Sequence, residues 1–263
     1  TSLGEGIKIG SYQIDTVLGI GSDARVLGAR ARDDERVVLK VFAWRGADAE
    51  TGARARRDRE ADALRRARGA GFASLIDIGE DPDHGAYFVT HYVDGRSLRA
   101  IAAEGAMLPE HAVACLSPVV EAVASMHARG LVHGDLKPEH VMLTPAGGIV
   151  VLDLGLAFDV GAAVTRVDGT VSGTLGYVAP ELFERLPAST SIDVFALGVM
   201  LYELIAGDRP FVQTSSGHVA SAPRALDELD GRVSRAFATL VERCLSTSPQ
   251  ERPTANALGA ELS

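Results

Sequence analysis

The run Leu131-Val132-His133-Gly134-Asp135-Leu136-Lys137-Pro138-Glu139-His140-Val141-Met142 carries the densest chemistry in the chain. Asp135 and Lys137 set a carboxylate base beside an ammonium that can neutralise a transferring phosphoryl group. Downstream, the apolar run Gly148–Leu152 ends in Asp153-Leu154-Gly155. An Asp directly after a buried strand, with Gly to turn the chain away, presents a carboxylate of the kind that holds a divalent cation over phosphates. Near the start, Leu18-Gly19-Ile20-Gly21-Ser22-Asp23-Ala24-Arg25-Val26 puts two glycines between strands. Such a turn can lay backbone N–H donors close to an anion, and taken alone a G-x-G hairpin is usually just a turn. Lys40 ends the apolar run Val37-Val38-Leu39. Its ammonium either meets a carboxylate or phosphate, with Glu60 available on the next helix, or snorkels from the sheet edge.

Those side chains need a scaffold, and its elements are readable from periodicity. Ser11–Leu18, Ala24–Ala31 and Arg36–Ala43 read as strands, as do Ser74–Glu80 and Ala86–Tyr92 around the turn Asp81-Pro82-Asp83-His84-Gly85. Between them Ala53–Arg68 has helical spacing of Ala61, Leu64 and Ala67. Its arginines, interleaved with Asp58, Glu60 and Asp62, read as a solvated helix face rather than a basic patch. From Ser97 onward the pattern is mostly helical: Pro109–Arg129, Ile192–Ile205, Ser234–Cys244 and Thr254–Leu262. A small sheet with one helix, a short connection near Tyr92–Gly95 and a larger helical part are expected, with ligands favouring the crevice between.

Composition narrows the function. The chain has 263 residues, with 26 Lys+Arg against 35 Asp+Glu and a formal charge of −9. An apolar content of 46% with 23% charged residues suits a folded domain and excludes disorder. The acidic balance argues against nucleic acid as a partner. Cys115 and Cys244 are too far apart in sequence, in apolar helical contexts, to read as a disulfide framework, so two buried thiols in a reducing compartment are expected. The best apolar run, Val199–Ala206, is interrupted by Glu203 and falls short of the ~18 residues a span needs. No basic-then-apolar leader opens the sequence. A cytoplasmic domain cut from a longer protein, with no membrane contact from this segment, is the expectation. Only Lys8, Lys40 and Lys137 are lysines among the basic residues, so the two inside motifs stand out as compact ammonium groups that Arg replaces poorly.

In order along the chain, these elements resemble a protein kinase domain of the bacterial, eukaryotic-like Ser/Thr type. The resemblance runs from Ile9 to Leu262 and adds Gly173-Thr174 ahead of Ala179-Pro180-Glu181, then Asp193-Val194-Phe195-Ala196-Leu197-Gly198 and a late Arg252-Pro253. It implies an α+β, bilobal fold over 9–263, with a small antiparallel sheet and one helix near 9–92 and a mainly helical lobe near 95–263. By the resemblance, Gly19, Gly21 and Val26 would cover ATP, and Lys40, paired to Glu60, would bind its α- and β-phosphates. Thr90 would back the adenine pocket, the His91 carbonyl and Val93 N–H would bond adenine, and Met142 would lie beneath the ring. Asp135 would orient the substrate hydroxyl and take its proton, Lys137 would stabilise the γ-phosphate, and Asp153 would chelate the metal. Thr174 would tie the substrate loop to Asp135 and Lys137, and Glu181 would pair with Arg252.

The sequence departs from the family at several positions. The family's metal-binding Asn is His140, whose imidazole nitrogen prefers softer ions such as Mn²⁺ or Zn²⁺ to Mg²⁺, so that it either serves as a ligand for Mn²⁺ or leaves one metal site empty. The family's Arg before the catalytic Asp is Gly134, which removes the cation that docks a phosphorylated activation loop. Thr165, Thr170 and Ser172 are candidate phosphosites in that loop. Asp23 and Ala24 replace an aromatic and the third Gly of the nucleotide loop, Val38 narrows the adenine side, and Leu154 stands for Phe. Val212–Arg224 makes a poor helix where the family often has one. The expectation is an ATP- and Mg²⁺- or Mn²⁺-dependent Ser/Thr kinase acting on a protein substrate in signalling, its oligomeric state open. The alternative is a pseudokinase, a nucleotide-binding or scaffold domain. A small-molecule kinase shares His133-Gly134-Asp135 but generally lacks the Gly-Thr and Ala-Pro-Glu elements.

Overall fold

Alternation of apolar side chains builds the first sheet. In Arg36–Phe42 the side chains of Val37, Leu39 and Val41 are buried on one face while Val38 and Lys40 take the other. The computed structural model describes residues 6–21, 24–42, 49–69, 71–162, 174, 176–183, 189–211 and 223–263. The chain separates into two compact units, one formed by residues up to Arg68 with Ala73–Asp94, the other by Gly69–Phe72 with Gly95 onward.

In the first unit the elements are β1 (Lys8–Ile9), β2 (Tyr12–Ile20), β3 (Arg25–Arg30), β4 (Arg36–Phe42), α1 (Ala49–Arg66), β5 (Leu75–Asp81) and β6 (Gly85–His91). They make one antiparallel sheet in the order β1-β2-β3-β4-β6-β5. Ile9, Tyr12, Ile14, Leu27, Val37, Leu39, Val41, Tyr87 and Val89 form its core. The β2–β3 ladder shifts register twice, between Ile14 and Thr16 and between Val17 and Gly19, just before the glycine turn. Helix α1 packs on β4, β5 and β6. Its arginine face is not wholly solvated: Arg57 is buried and donates to the Gly79 carbonyl at 3.0 Å and to Glu80 at 3.2 Å, tying the helix to β5. Lys8 is exposed on the edge strand.

The second unit contains β7 (Arg96–Ser97), α2 (Leu98–Ala102), α3 (Pro109–His127), β8 (Leu131–Val132), a 3-10 turn (Pro138–His140), β9 (Val141–Leu143), β10 (Ile149–Val151), β11 (Phe158–Asp159), α4 (Pro180–Phe183), α5 (Ser191–Ala206), α6 (Leu226–Leu229), α7 (Arg235–Cys244) and α8 (Ala255–Leu262). Helix α5 is its axis: every side chain from Ile192 to Ile205 is buried, and α3 and α7 pack against it. Gly198 permits the α7 contact, since a Cβ there would stand 2.6 Å from Cys244 Cβ. Both cysteines are free, Cys244 buried and Cys115 half-buried. The strand expected over Gly148–Leu152 is β10, whereas β7, β8, β9 and β11, paired as β10-β9-β7 and β11-β8, are missed because two or three residues are too few to show a period. Gly71 and Phe72 join this unit through the Gly71 carbonyl, which accepts the Val151 N–H at 2.6 Å. Among the described residues no helix is long and apolar enough to cross a membrane.

Candidate active site

The segment between β8 and β9 holds a closed polar cluster in the second unit. Lys137 Nζ donates to Asp135 Oδ2 at 2.7 Å and to Thr174 Oγ1 at 2.6 Å. Asp135 Oδ1 accepts the Thr174 N–H at 2.9 Å and its hydroxyl at 3.0 Å. Asp135, Lys137 and Thr174 are thus one unit, as the resemblance implies, although Thr174 lies far along the chain. Charge-assisted bonds of this kind fix a carboxylate in one orientation.

The backbone of that segment is held from below. Asp193, near the start of α5 and fully buried, accepts the His133 N–H at 2.8 Å and the Gly134 N–H at 3.0 Å, and bonds His127 Nε2 at 2.8 Å. Burial alone would push the Asp193 carboxyl up, but these donors outweigh it and keep it below the usual carboxylate range. Gly134 adopts φ +82°, where a Cβ would stand 2.8 Å from both the Leu156 carbonyl oxygen and the Phe158 ring. Glycine therefore does more than omit a cation: it lets two N–H groups turn onto one carboxylate.

His140 and Asp153 face one another. His140 Nδ1 lies 2.9 Å from the Asp135 carbonyl oxygen, which can only accept, so Nδ1 carries the proton. Its Nε2 lone pair then stands 3.7 Å from Asp153 Oδ2. Burial, the largest influence, lowers the His140 pKa to about 4, so the ring is neutral at pH 7. The Leu152 N–H donates to the His140 carbonyl at 2.7 Å, joining the two segments. Asp153 sits at φ +60°, a conformation that costs a non-glycine residue energy and persists where neighbours impose it. One neutral nitrogen and one carboxylate oxygen at this spacing fit a single divalent cation, and the nitrogen favours Mn²⁺ or Zn²⁺ over Mg²⁺. Met142, on β9, is opposite Val150 and Ser97.

The remaining predicted residues fall in the first unit. Lys40 Nζ bonds Glu60 Oε1 at 2.8 Å, with Glu60 only 3% exposed, which decides between the two readings of Lys40 in favour of the pair. Gly19 is opposite Val26, and the Gly21 N–H closes the turn on the Ala24 carbonyl at 2.8 Å. Val26 is in turn opposite Lys40. Thr90 is buried on β6 opposite Val38, His91 follows it with its ring on Glu35 at 2.9 Å, and Val93 lies beyond the strand. Asp23, Gly173, Thr165, Thr170, Ser172 and 212–222 lie outside the described residues.

Asp193 was quoted only as part of its motif, without its cradle role, and two further contributors were not singled out by sequence reasoning: His127 beneath it, and Arg99, which bonds Glu139 and Glu203 at 2.8 Å each. A charged residue inside an otherwise apolar helix, as Asp193 and Glu203 are in α5, is the signal that could have found two of these partners.

A strand lysine paired to a helix glutamate in the first unit, and in the second a carboxylate–ammonium–threonine cluster with a strained Asp after a short hairpin, are the elements that the resemblance to a protein kinase domain implies. Residues 12–261 match the protein kinase domain family, and the chain belongs to it. It is 34% identical over 260 residues to the serine/threonine-protein kinase PknL of Mycobacterium tuberculosis, covering 95% of this chain and 64% of that protein. It is 34% identical over 261 residues to the probable serine/threonine-protein kinase PkwA of Thermomonospora curvata, covering 97% and 34%. Against pkn3 of Myxococcus xanthus the identity is 34% over 270 residues, covering 95% and 49%. The chain therefore spans from about a third to just under two thirds of these relatives.

Proposed function

We propose that this chain phosphorylates Ser or Thr hydroxyls of protein substrates with ATP. The observation that carries the reading is the Asp135–Lys137–Thr174 cluster, in which one carboxylate, one ammonium and one substrate-loop hydroxyl are mutually bonded. An incoming hydroxyl approaching the γ-phosphorus would be oriented by Asp135, which takes its proton as the new oxygen–phosphorus bond forms and the bond from the γ-phosphorus to the β,γ-bridging oxygen breaks, releasing ADP. Lys137 Nζ sets positive charge against the transferring oxygens. Lys40, held by Glu60, would grip the α- and β-phosphates; Gly19, Gly21 and Val26 would cover them; Thr90, His91, Val93 and Met142 would take adenine. Asp153 and His140 would hold the metal, whose charge screens the nucleotide phosphates. ATP as co-substrate puts the reaction on the cytoplasmic side, in signalling by protein phosphorylation.

The second reading is a nucleotide-binding pseudokinase, favoured by His140 standing at the metal position of the family's Asn. Incubation with labelled ATP and a generic Ser/Thr substrate, in Mg²⁺ and in Mn²⁺, separates the two. Label above an Asp135→Asn control supports turnover; label no greater than that control with either metal leaves the pseudokinase.

A further inference from the structure

Outside the cluster already described, Arg99, near the start of α2, ties three separate segments of the second unit together. Its guanidinium spends a different nitrogen on each of three partners. Nε donates to Glu139 Oε1 at 2.8 Å, Nη1 donates to Glu203 Oε1 at 2.8 Å, and Nη2 donates to the Tyr177 hydroxyl. The Tyr177 hydroxyl in turn donates to Glu203 Oε2, closing a ring of bonds.

The partners belong to segments that carry chemistry. Glu139 sits in the 3-10 turn between Lys137 and His140. The Tyr177 N–H donates to the Thr174 carbonyl at 3.0 Å, so its ring is anchored one turn from the hydroxyl that caps Asp135. Glu203 belongs to α5, whose other end carries the Asp193 cradle. Tyr177 and Glu203 are buried, whereas Arg99 and Glu139 are partly exposed. Burial and then the Glu203 bond raise the Tyr177 pKa, keeping a proton for Glu203 to accept.

We propose that Arg99 is a positioning residue for phosphoryl transfer, a three-way clamp that fixes Tyr177, itself bonded to Thr174, and the Lys137–His140 turn against the same helix. Only a planar guanidinium can reach three acceptors in three directions; a lysine ammonium on a flexible stem cannot reproduce the fork. Two carboxylates converge on Arg99, so removing it leaves them to repel each other and releases both segments. The proposal rests on the kinase reading for its catalytic consequence, but not for its structural one.

The test uses Arg99→Ala, Arg99→Lys and Tyr177→Phe, read by hydrogen exchange of peptides covering Gly176–Phe183 and by steady-state kinetics. Faster exchange there in Arg99→Ala is expected, with kcat lower by on the order of tenfold to a hundredfold, the cost of a small misplacement, and KM for ATP unchanged. Arg99→Lys should stay close to Arg99→Ala, and Tyr177→Phe, which keeps the fold and both charges, should move both readouts in the same direction. Unchanged exchange in Arg99→Ala overturns the clamp whether or not the wild type turns over. Faster exchange with unchanged kcat in an active enzyme overturns the positioning role. Should Arg99→Ala fail to fold, Tyr177→Phe decides by the same two readouts.

Discussion

Arg252 and Glu181, far apart in sequence, meet in a two-pronged ion pair at 2.6 and 2.8 Å, with side chains 0% and 4% exposed. Arg252 also donates to the Ser246 and Ser191 carbonyls and stacks its guanidinium over Phe195 at 4.9 Å. One residue therefore pins α4 and the loop after α7 to α5. Removing one member strands a buried charge, so Arg252→Ala should cost about 3–5 kcal/mol by denaturant unfolding. Replacing both with apolar residues of similar volume should recover most of that loss. An Arg252→Ala protein within about 1 kcal/mol of wild type would show the pair to be solvated.

Lys40 and Glu60 separate stability from activity. Lys40→Met leaves Glu60 buried without its ammonium, so unfolding free energy should drop by roughly 3 kcal/mol. Lys40→Met/Glu60→Leu should regain it, because two apolar side chains need no partner. Phosphoryl transfer should stay at least about a hundredfold down in both, since neither supplies charge to phosphate. Activity returning with stability in the double variant would remove Lys40 from the chemistry.

The same contrast shows what a sequence can carry. Lys40, Glu60, Asp135, Lys137, Asp153, Thr174, Glu181 and Arg252 were legible because each sits in a local word whose neighbours fix its environment. The need of a buried charge for a partner offered Glu60 to Lys40 as one of two readings, whereas the Glu181–Arg252 pair was implied by the resemblance. Arg99 was not legible, since its bonds reach residues 40, 78 and 104 positions away and nothing local marks it. The Asp193 carboxylate was visible inside its motif, but its role depends on two amides that turn towards it only because Gly134 reaches φ +82°. The short strands around β9 escaped for a different reason: their pairing is tertiary, and two or three residues show no alternation.

Gly134 predicts its own substitution. At φ +82° an L-residue pays about 1–2 kcal/mol, and a Cβ would press on the Leu156 carbonyl and Phe158. Gly134→Ala should therefore destabilise by at least that amount in thermal or denaturant unfolding. A neutral or stabilising result would mean that the segment can leave the Asp193 cradle at no cost.

Tyr12 sets an alkaline limit on the first unit. Its hydroxyl donates to Asp77 Oδ2 at 2.9 Å, and burial followed by that bond raises its pKa from 10.0 to about 12. The folded state holds the phenolic proton more tightly than the unfolded chain does. The contribution is therefore complete below pH 10 and is lost as pH rises towards 12. Tyr12→Phe should be less stable at pH 8 and show a shallower fall across that window in denaturant titrations. Parallel curves for the two proteins would remove Tyr12 as the source.

His140 offers the sharpest test of how the metal is held. Nδ1 is committed to the Asp135 carbonyl, leaving Nε2 to face Asp153. An asparagine can divide the same work between its NH₂ group and its carbonyl oxygen, so His140→Asn should keep the internal bond while exchanging a nitrogen ligand for an oxygen. The ratio of Mn²⁺- to Mg²⁺-supported activity should then fall by about tenfold, the scale on which changes around a metal alter affinity. Mn²⁺ titration of the nucleotide complex, followed by electron paramagnetic resonance, reads the same change without turnover and should show weaker binding in the variant. Identical Mn²⁺ affinity in both proteins would place the imidazole outside the coordination sphere, with Asp153 left as the cation's anchor.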